Sequence, residues 1–388
     1  MSAYGGWLGG AGGAAGGGAG GGAGGGAGGG AGGGAGGGAG GGAGFGGNAG
    51  YGSAPITLAD AFADFSAVEA LGRSREAICN PTPSAYENVL LPEMGEYDSI
   101  RRWDPWVRNY LLQLELLQFQ FKEGKPDRLT IKHGENTLAT LVRPQVGKFK
   151  EQLADVLSYA SLRADRTAEA LWQIDGQWAF WGSVLPARLP AIPYAQEIVT
   201  AVTQMAVVVE MRFKHEFACP RPVNYSAQVQ PMLTTPGHGT YPMGHATQIF
   251  AVGCVLKALL RETFGGLPQD LATQMDRLSW RMSENRIVAG VHFPVDLWAG
   301  VGLGLRLGAY AVGRFTGHSI KLNGEEIDPG SKDESSAYGE NAARKDLQQI
   351  NDGLSKATAP AKSHSSSLQA TWDEALVEMR RATWMKKP

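Results

Sequence analysis

The chain has no charged side chain before Asp60, no stripe of basic residues and only three cysteines in 388 positions. With 35 Lys and Arg against 37 Asp and Glu, the formal charge is -2, which argues against a surface that grips nucleic acid or another polyanion. Any anion chemistry must therefore be local. Cys79, Cys219 and Cys254 lie far apart and lack zinc-ligand spacing, so they imply neither a disulfide framework nor a structural metal and read as packing residues. No basic region followed by an apolar core and a cleavage site opens the sequence, so the expectation is no secretory signal and, by default, a cytoplasmic protein. Uninterrupted long apolar runs are missing too. Residues 245–260 and 287–313 are apolar, but His245, Lys257, His292, Asp296 and Arg306 break them, and no membrane span is expected.

Glycine, in contrast, is abundant and unevenly placed: 32 of the 56 glycines fall in the first 52 residues, and residues 16–43 form seven consecutive Gly-Gly-Gly-Ala units. Such a tract offers no side chains with which to recover its backbone entropy by packing. Residues 1–54 read as a low-complexity tail, although nearly bare backbones can also approach one another in assemblies.

From Pro55 the apolar residues recur mostly at helical spacing. Thr57 and Asp60 suit a helix start, with Leu58, Phe62, Phe65 and Val68 on one face. Core stripes are expected at Trp106, Tyr110, Leu114 and Leu117, at Phe149, Leu153, Val156 and Leu157, and around Trp172, Trp178 and Trp181. Residues 129–142 are the one plausible hairpin. Further helices are predicted over 194–217, 245–263, 268–284 and 294–315, with Pro222, Pro231, Pro236, Gly237 and Gly239 breaking the chain between the first two. The fold class is thus all-α, a helical bundle with at most one small β-hairpin. It occupies residues 55–320, its core lies at about 200–315, and 321–388 form a polar extension with a last amphipathic helix near 368–385.

Three short segments carry candidate chemistry. In KHEFACPRP, Lys214 nears a helix end and Arg221 sits between two prolines that stop the helix and stiffen the backbone, so both cations can face one pocket. In PGHGTYPMGHATQ, Gly244 and His245 open a helix whose free N–H groups suit an anion. His245 can exchange protons near neutral pH. In NRIVAGVHFPVD, Arg286 precedes His292 by six residues, and Asp296 can either orient the His292 imidazole or cap the next helix. Each segment alone has an ordinary reading as solvated charge or helix cap. Their joint order and spacing do not.

Taken together, Lys-x6-Arg-Pro, Pro-x-Gly-His and Arg-x5-His-x3-Asp resemble the signature of the vanadium-dependent haloperoxidases and the related phosphatidic acid phosphatase type 2 superfamily. The resemblance covers Lys214 to Asp296 and is nearest to the bromoperoxidase branch, because His238 stands five residues before the position of the family's serine, where chloroperoxidases usually carry an aromatic residue. That serine is Met243 here, and the serine of the third motif is Asn285.

The resemblance implies a helical fold and a vanadate cofactor held by Lys214, Arg221, Arg286 and the Gly244 N–H, beside Met243, with His292 as its protein ligand. It further implies His245 as acid–base group, Lys214 polarising bound peroxide and His238 near the halide path. The partners would be hydrogen peroxide, bromide or iodide and an organic acceptor; a homo-oligomer is compatible with the resemblance, while nucleic acid and membranes are not expected. Two alternatives stay open: an acid phosphatase with His292 as nucleophile, His245 as leaving-group acid and Asp296 orienting His292, or a degenerate enzyme acting as a scaffold through its Gly-rich arm.

Overall fold

A computed structural model describes residues 65–79, 97–125, 127–174, 177–317, 326–329, 337–356 and 367–383, together with 90–91, 93–94 and 320. The Gly/Ala tract and the helix start expected at Thr57 and Asp60 lie outside the described residues. Internal contacts divide the chain between Tyr110 and Leu111. In the N-terminal unit, α1 is Phe65–Ile78 and a 3-10 turn covers Tyr97–Arg102. The Arg108 guanidinium fastens this turn by donating to the carbonyls of Ile100 and Trp103 at 2.9 and 3.0 Å. Helix α2, Pro105–Leu116, crosses the division.

The C-terminal unit is mostly helical. After α3 (Val146–Glu151), α4 (Leu153–Tyr159), α5 (Arg163–Trp172) and α6 (Gln177–Val184) come four longer helices: α7 (Pro193–Phe217), α8 (Gly244–Phe264), α9 (Gln269–Val288) and α10 (Pro294–Thr316). These four correspond to the helices expected from periodicity. Helix α8 is buried along nearly its whole length and packs on α7, α9 and, most extensively, α10. Glycines on one stripe of α10 allow the close approach. A Cβ at Gly300 would lie 2.5 Å from the Met243 carbonyl oxygen, and one at Gly304 2.5 Å from that of Thr247. The first turn of α8 is thus set by backbone contact, which side chains could not tolerate.

Where a single hairpin was expected, the sheet has four strands in the order β1 (Gln120–Glu123), β2 (Arg128–His133), β3 (Asn136–Val142) and β4 (Glu326–Ile327). β2 and β3 form the antiparallel hairpin of the sequence expectation, β1 extends it, and β4 adds in parallel to β3. A two-residue strand carries no periodic signal, so β4 has no signature in the sequence.

The C-terminal stretch carries two helices, α11 (Glu340–Lys356) and α12 (Ser367–Ala382). α12 packs on α7 and α8, with Trp372 stacked on Phe315 of α10 at 5.7 Å. α11 is tied to α10 by the buried Arg306–Asp346 pair at 2.7 Å. Of the expected core stripes, Phe149, Val156 and Trp181 are buried. Tyr110, Leu114 and Trp172 are exposed instead. On α2 the buried face carries Arg108, Asn109, Leu112 and Leu116, because charged and amide side chains with internal partners occupy positions that hydrophobicity alone assigns to solvent. Among the described residues no helix is long and apolar enough to cross a membrane.

Candidate functional site

Three chain breaks bring the site together. Helix α7 ends where Ala218 turns left-handed at φ 46° and its N–H bonds back to the Lys214 carbonyl at 3.0 Å. Pro220 and Pro222 then hold Arg221 extended, with its own N–H donating to Asn224 Oδ1 at 3.0 Å. The Met243 N–H donates to the Asp296 backbone carbonyl at 2.9 Å, which ties the start of α8 to the start of α10.

Lys214, Arg221, His245, Arg286 and His292 are all buried, and their charges act on one another. Arg286, Lys214 and Arg221 all depress the His245 pKa, and Arg221 and Lys214 depress that of His292. Hydrogen bonds join Arg221 to His292 and, through Thr240, Lys214 to His292, while His245 and Arg286 meet the end of α5 and lie within electrostatic reach of the others. Each cation rests on backbone carbonyls. Lys214 Nζ donates to Gly239 and Thr240 oxygens at 3.1 Å each. Arg221 Nε donates to the His238 carbonyl at 3.2 Å and Nη1 to that of Val291 at 2.8 Å. Arg286 Nη2 donates to the Ala170 carbonyl at 2.5 Å.

The histidine tautomers follow from which partner can only donate or only accept. A guanidinium only donates, so Arg221 Nη1 at 2.9 Å requires the lone pair of His292 on Nε2. Its proton is then on Nδ1, shared between Asp296 Oδ2 and Thr240 Oγ1 at 3.1 Å each. Asp296 Oδ2 also accepts from the Thr240 hydroxyl at 2.5 Å and from the Phe293 N–H at 2.8 Å, so Asp296 both caps α10 and orients His292. His245 Nε2 faces the Gln173 carbonyl at 3.3 Å and must donate to it. His238 Nδ1 meets Arg221 Nη2 at 3.1 Å and the Gly239 oxygen at 3.2 Å; the first contact needs a lone pair and the second a proton, so they exclude one another.

Burial dominates the electrostatics. It holds His245 and His292 well below the ordinary imidazole pKa, assisted by Arg286 at the first and Arg221 at the second. It lowers His238 to about 4 and lowers Lys214, with Arg221 adding to the effect. Burial raises the Asp296 carboxyl against the pull of its donors from Thr240 and Phe293. Cys219 is raised to about 11 by burial and Asp296, which leaves it a thiol and not a nucleophile.

Arg286 is the exception in one respect. Burial lowers it to about 10, and among the described residues no acidic side chain compensates. Its Nε is buried without a hydrogen-bond partner among the described residues.

Met243, where the resembled motif has a serine, is fully buried and contributes no polar side-chain atom. Gly244 is the first residue of α8. Asn285 turns away toward α5, donating to Gln173 Oε1 at 2.9 Å and Glu169 Oε2 at 3.1 Å. An open cavity of about 490 Å³, lined in part by Cys219, Arg221, Asn224, Thr235 and His238, reaches the cluster from outside.

Sequence reasoning missed Thr240, Ala170 and Gln173. Thr240 lies within a quoted motif, and its polarity beside an apolar run was a usable signal. The contributions of Ala170 and Gln173 are backbone carbonyls, which residue type does not reveal. Compared with models of known protein families and with curated protein sequences, the chain matches none.

Proposed function

We propose that this cluster binds a tetrahedral oxyanion and that the protein is a vanadate-dependent haloperoxidase, using hydrogen peroxide to oxidise bromide or iodide to hypohalous acid, which halogenates an organic acceptor. The observation that carries the reading is Arg286, a buried guanidinium that, among the described residues, has no acidic side chain offsetting its burial and has one donor unmatched. A buried charge without a counter-ion costs several kcal/mol or about that order, so a bound anion is the economical partner.

The donor set fits such an ion. Lys214, Arg221 and Arg286 supply positive charge, the first turn of α8 supplies N–H groups and the positive end of a 21-residue helix. Bound vanadate would supply a Lewis-acidic centre that activates hydrogen peroxide toward attack by halide.

The chain's own groups do the rest. His292 presents an Nε2 lone pair whose direction is fixed by Asp296 and Thr240 at Nδ1; to give it to the ion, Arg221 Nη1 must turn from nitrogen to an anion oxygen. His245, kept neutral by burial and Arg286 and oriented by its Nε2 contact to Gln173, serves as the acid–base group. Lys214 lies against the Thr240 carbonyl and places its charge beside His292. His238 and Arg221 line the outer cavity, the side from which halide would arrive. The net reaction consumes peroxide, halide and one proton and yields hypohalous acid and water.

A second reading, an acid phosphatase of the same chemistry class, is favoured by the Asp296–His292 contact at 3.1 Å, which also suits a nucleophilic histidine. One experiment separates them. The protein is stripped of oxyanions, vanadate is restored, and peroxide-dependent bromination and iodination of a reporter are followed beside hydrolysis of a phosphate ester without vanadate. Halogenation that appears only with vanadate supports the haloperoxidase; ester cleavage inhibited by vanadate supports the phosphatase; neither activity overturns both.

A further inference from the structure

Two of the five clustered side chains depend on one short stretch of backbone. His245 Nε2 faces the Gln173 carbonyl at 3.3 Å, and Arg286 Nη2 donates to the Ala170 carbonyl at 2.5 Å. Ala170 and Gln173 belong to the carboxyl end of α5, Arg163–Trp172, and its C-cap. The last carbonyls of a helix lack intrahelical donors and carry the negative end of the helix dipole, so they suit a guanidinium and an imidazole N–H.

The stretch is itself clamped, and the clamp converges on one residue. Asn285 Nδ2 donates to the Gln173 side chain at 2.9 Å and to Glu169 at 3.1 Å, while its Oδ1 accepts from Arg166 at 3.3 Å. Glu169 is further held by Arg281, through contacts at 2.8 and 2.6 Å. Asn285 is fully buried and adjoins Arg286 in sequence, so one turn of α9 supplies both the cation and the group that fixes the carbonyl beneath it. A serine at 285 has one hydroxyl and cannot donate to Glu169 and Gln173 while accepting from Arg166.

We propose that Asn285 is a positioning residue, which through Glu169 and Gln173 fixes the end of α5 and thereby the orientation of His245 and Arg286. The Gln173 carbonyl selects the Nε2–H tautomer of His245. The asparagine therefore works as one part of a set with Glu169 and Gln173, and replacing it alone removes the set's function. The geometric part stands on the contacts given; only its effect on turnover rests on the haloperoxidase reading.

The test uses the full chain without added anion, labelled with 15N in its histidine side chains, as wild type, Asn285→Ser and Gln173→Leu. Gln173→Leu keeps the carbonyl and removes one of the two acceptors of Asn285 Nδ2. The expected result is His245 as the Nε2–H tautomer in wild type and a mixture of tautomers in both variants, with His292 unchanged as Nδ1–H. Asn285→Gln, which restores an amide, is expected to recover part of the wild-type signal. A pure Nε2–H His245 in both variants, with helical circular dichroism intact, overturns the proposal, as does an Nδ1–H His245 in the wild type. If a variant fails to fold, Glu169→Leu, which removes the other acceptor of Asn285 Nδ2, replaces it with the same expected and contrary results. Where vanadate-dependent halogenation is found, Asn285→Ser should lower kcat by about tenfold with little change in halide KM. Absence of that activity in the wild type bears on the proposed function and leaves the tautomer result standing.

Discussion

Arg221 Nη1 lies 2.9 Å from His292 Nε2, so the guanidinium donates to the nitrogen that the proposed function assigns to the ion. Anion binding and this hydrogen bond compete, and Arg221 gains charged oxygens in exchange for a neutral nitrogen. Charge-assisted bonds are worth about 1.5–3 kcal/mol, so Arg221→Ala should weaken orthovanadate or phosphate binding by roughly 10- to 150-fold, read by calorimetric titration. Undiminished affinity would remove Arg221 from the site.

Thr240 donates to Asp296 Oδ2 and accepts from His292 Nδ1. Thr240→Val, similar in shape, should lower unfolding stability by about 1–3 kcal/mol in urea titration, and Thr240→Ser should restore most of it.

Met243→Ser introduces the hydroxyl of the resembled family at a fully buried position. Oxyanion affinity should rise, by about tenfold if the new bond is charge-assisted, while loss of the packed thioether should lower stability by about 2–4 kcal/mol. Parallel calorimetry and denaturation would show the two moving in opposite directions.

Gly300→Ala should disturb the site without touching a polar group. Its Cβ would lie 2.5 Å from the Met243 carbonyl oxygen and 2.9 Å from the Ala246 Cβ, pushing apart the starts of α8 and α10. A stability loss of at least about 1–3 kcal/mol is expected, with reduced oxyanion affinity. Unchanged affinity would show that the first turn of α8 does not shape the pocket.

Acid should destabilise the fold. Burial depresses the pKa of His245 and His292, and His238 falls to about 4, so these groups bind fewer protons folded than unfolded. Their stabilising contribution is complete above the ordinary histidine pKa of about 6.5 and is lost as pH falls from there toward 4. Asp296, raised by burial, works in the opposite sense, contributing most at low pH. Glu378, raised by burial to about 7, acts in the same sense as Asp296, while His133, lowered by burial, acts with the other imidazoles. With four imidazoles against two carboxyls, urea midpoints should decrease between pH 7 and pH 5, and saturating phosphate should flatten the decrease by favouring the protonated pocket. A midpoint that rises on acidification would contradict these assignments.

The helices that carry the site were legible in the sequence because each ends in a strong local signal: Pro220 and Pro222 after α7, Gly244 at the start of α8, Pro294 at the start of α10. The His292–Asp296 pair was legible because four residues across a helix start bring two side chains together. The role of α5 was not. Gln173 and His245 are 72 residues apart, and Ala170 and Arg286 are 116 apart, joined by carbonyls that every residue type possesses. Trp172 was misplaced because, at the end of α5, the buried positions are Ala170 and Gln173, and the indole between them is left in solvent. The hydrogen bond from Arg221 to His292 likewise links residues 71 apart and has no local signature.

The most direct measurement is calorimetric titration of the oxyanion-free protein with orthovanadate. A single equivalent should bind per chain, and Arg286→Gln should weaken binding by at least tenfold while the protein remains folded. No saturable heat up to millimolar vanadate, or equal affinity in wild type and Arg286→Gln, would contradict the assignment of this buried guanidinium to an anion.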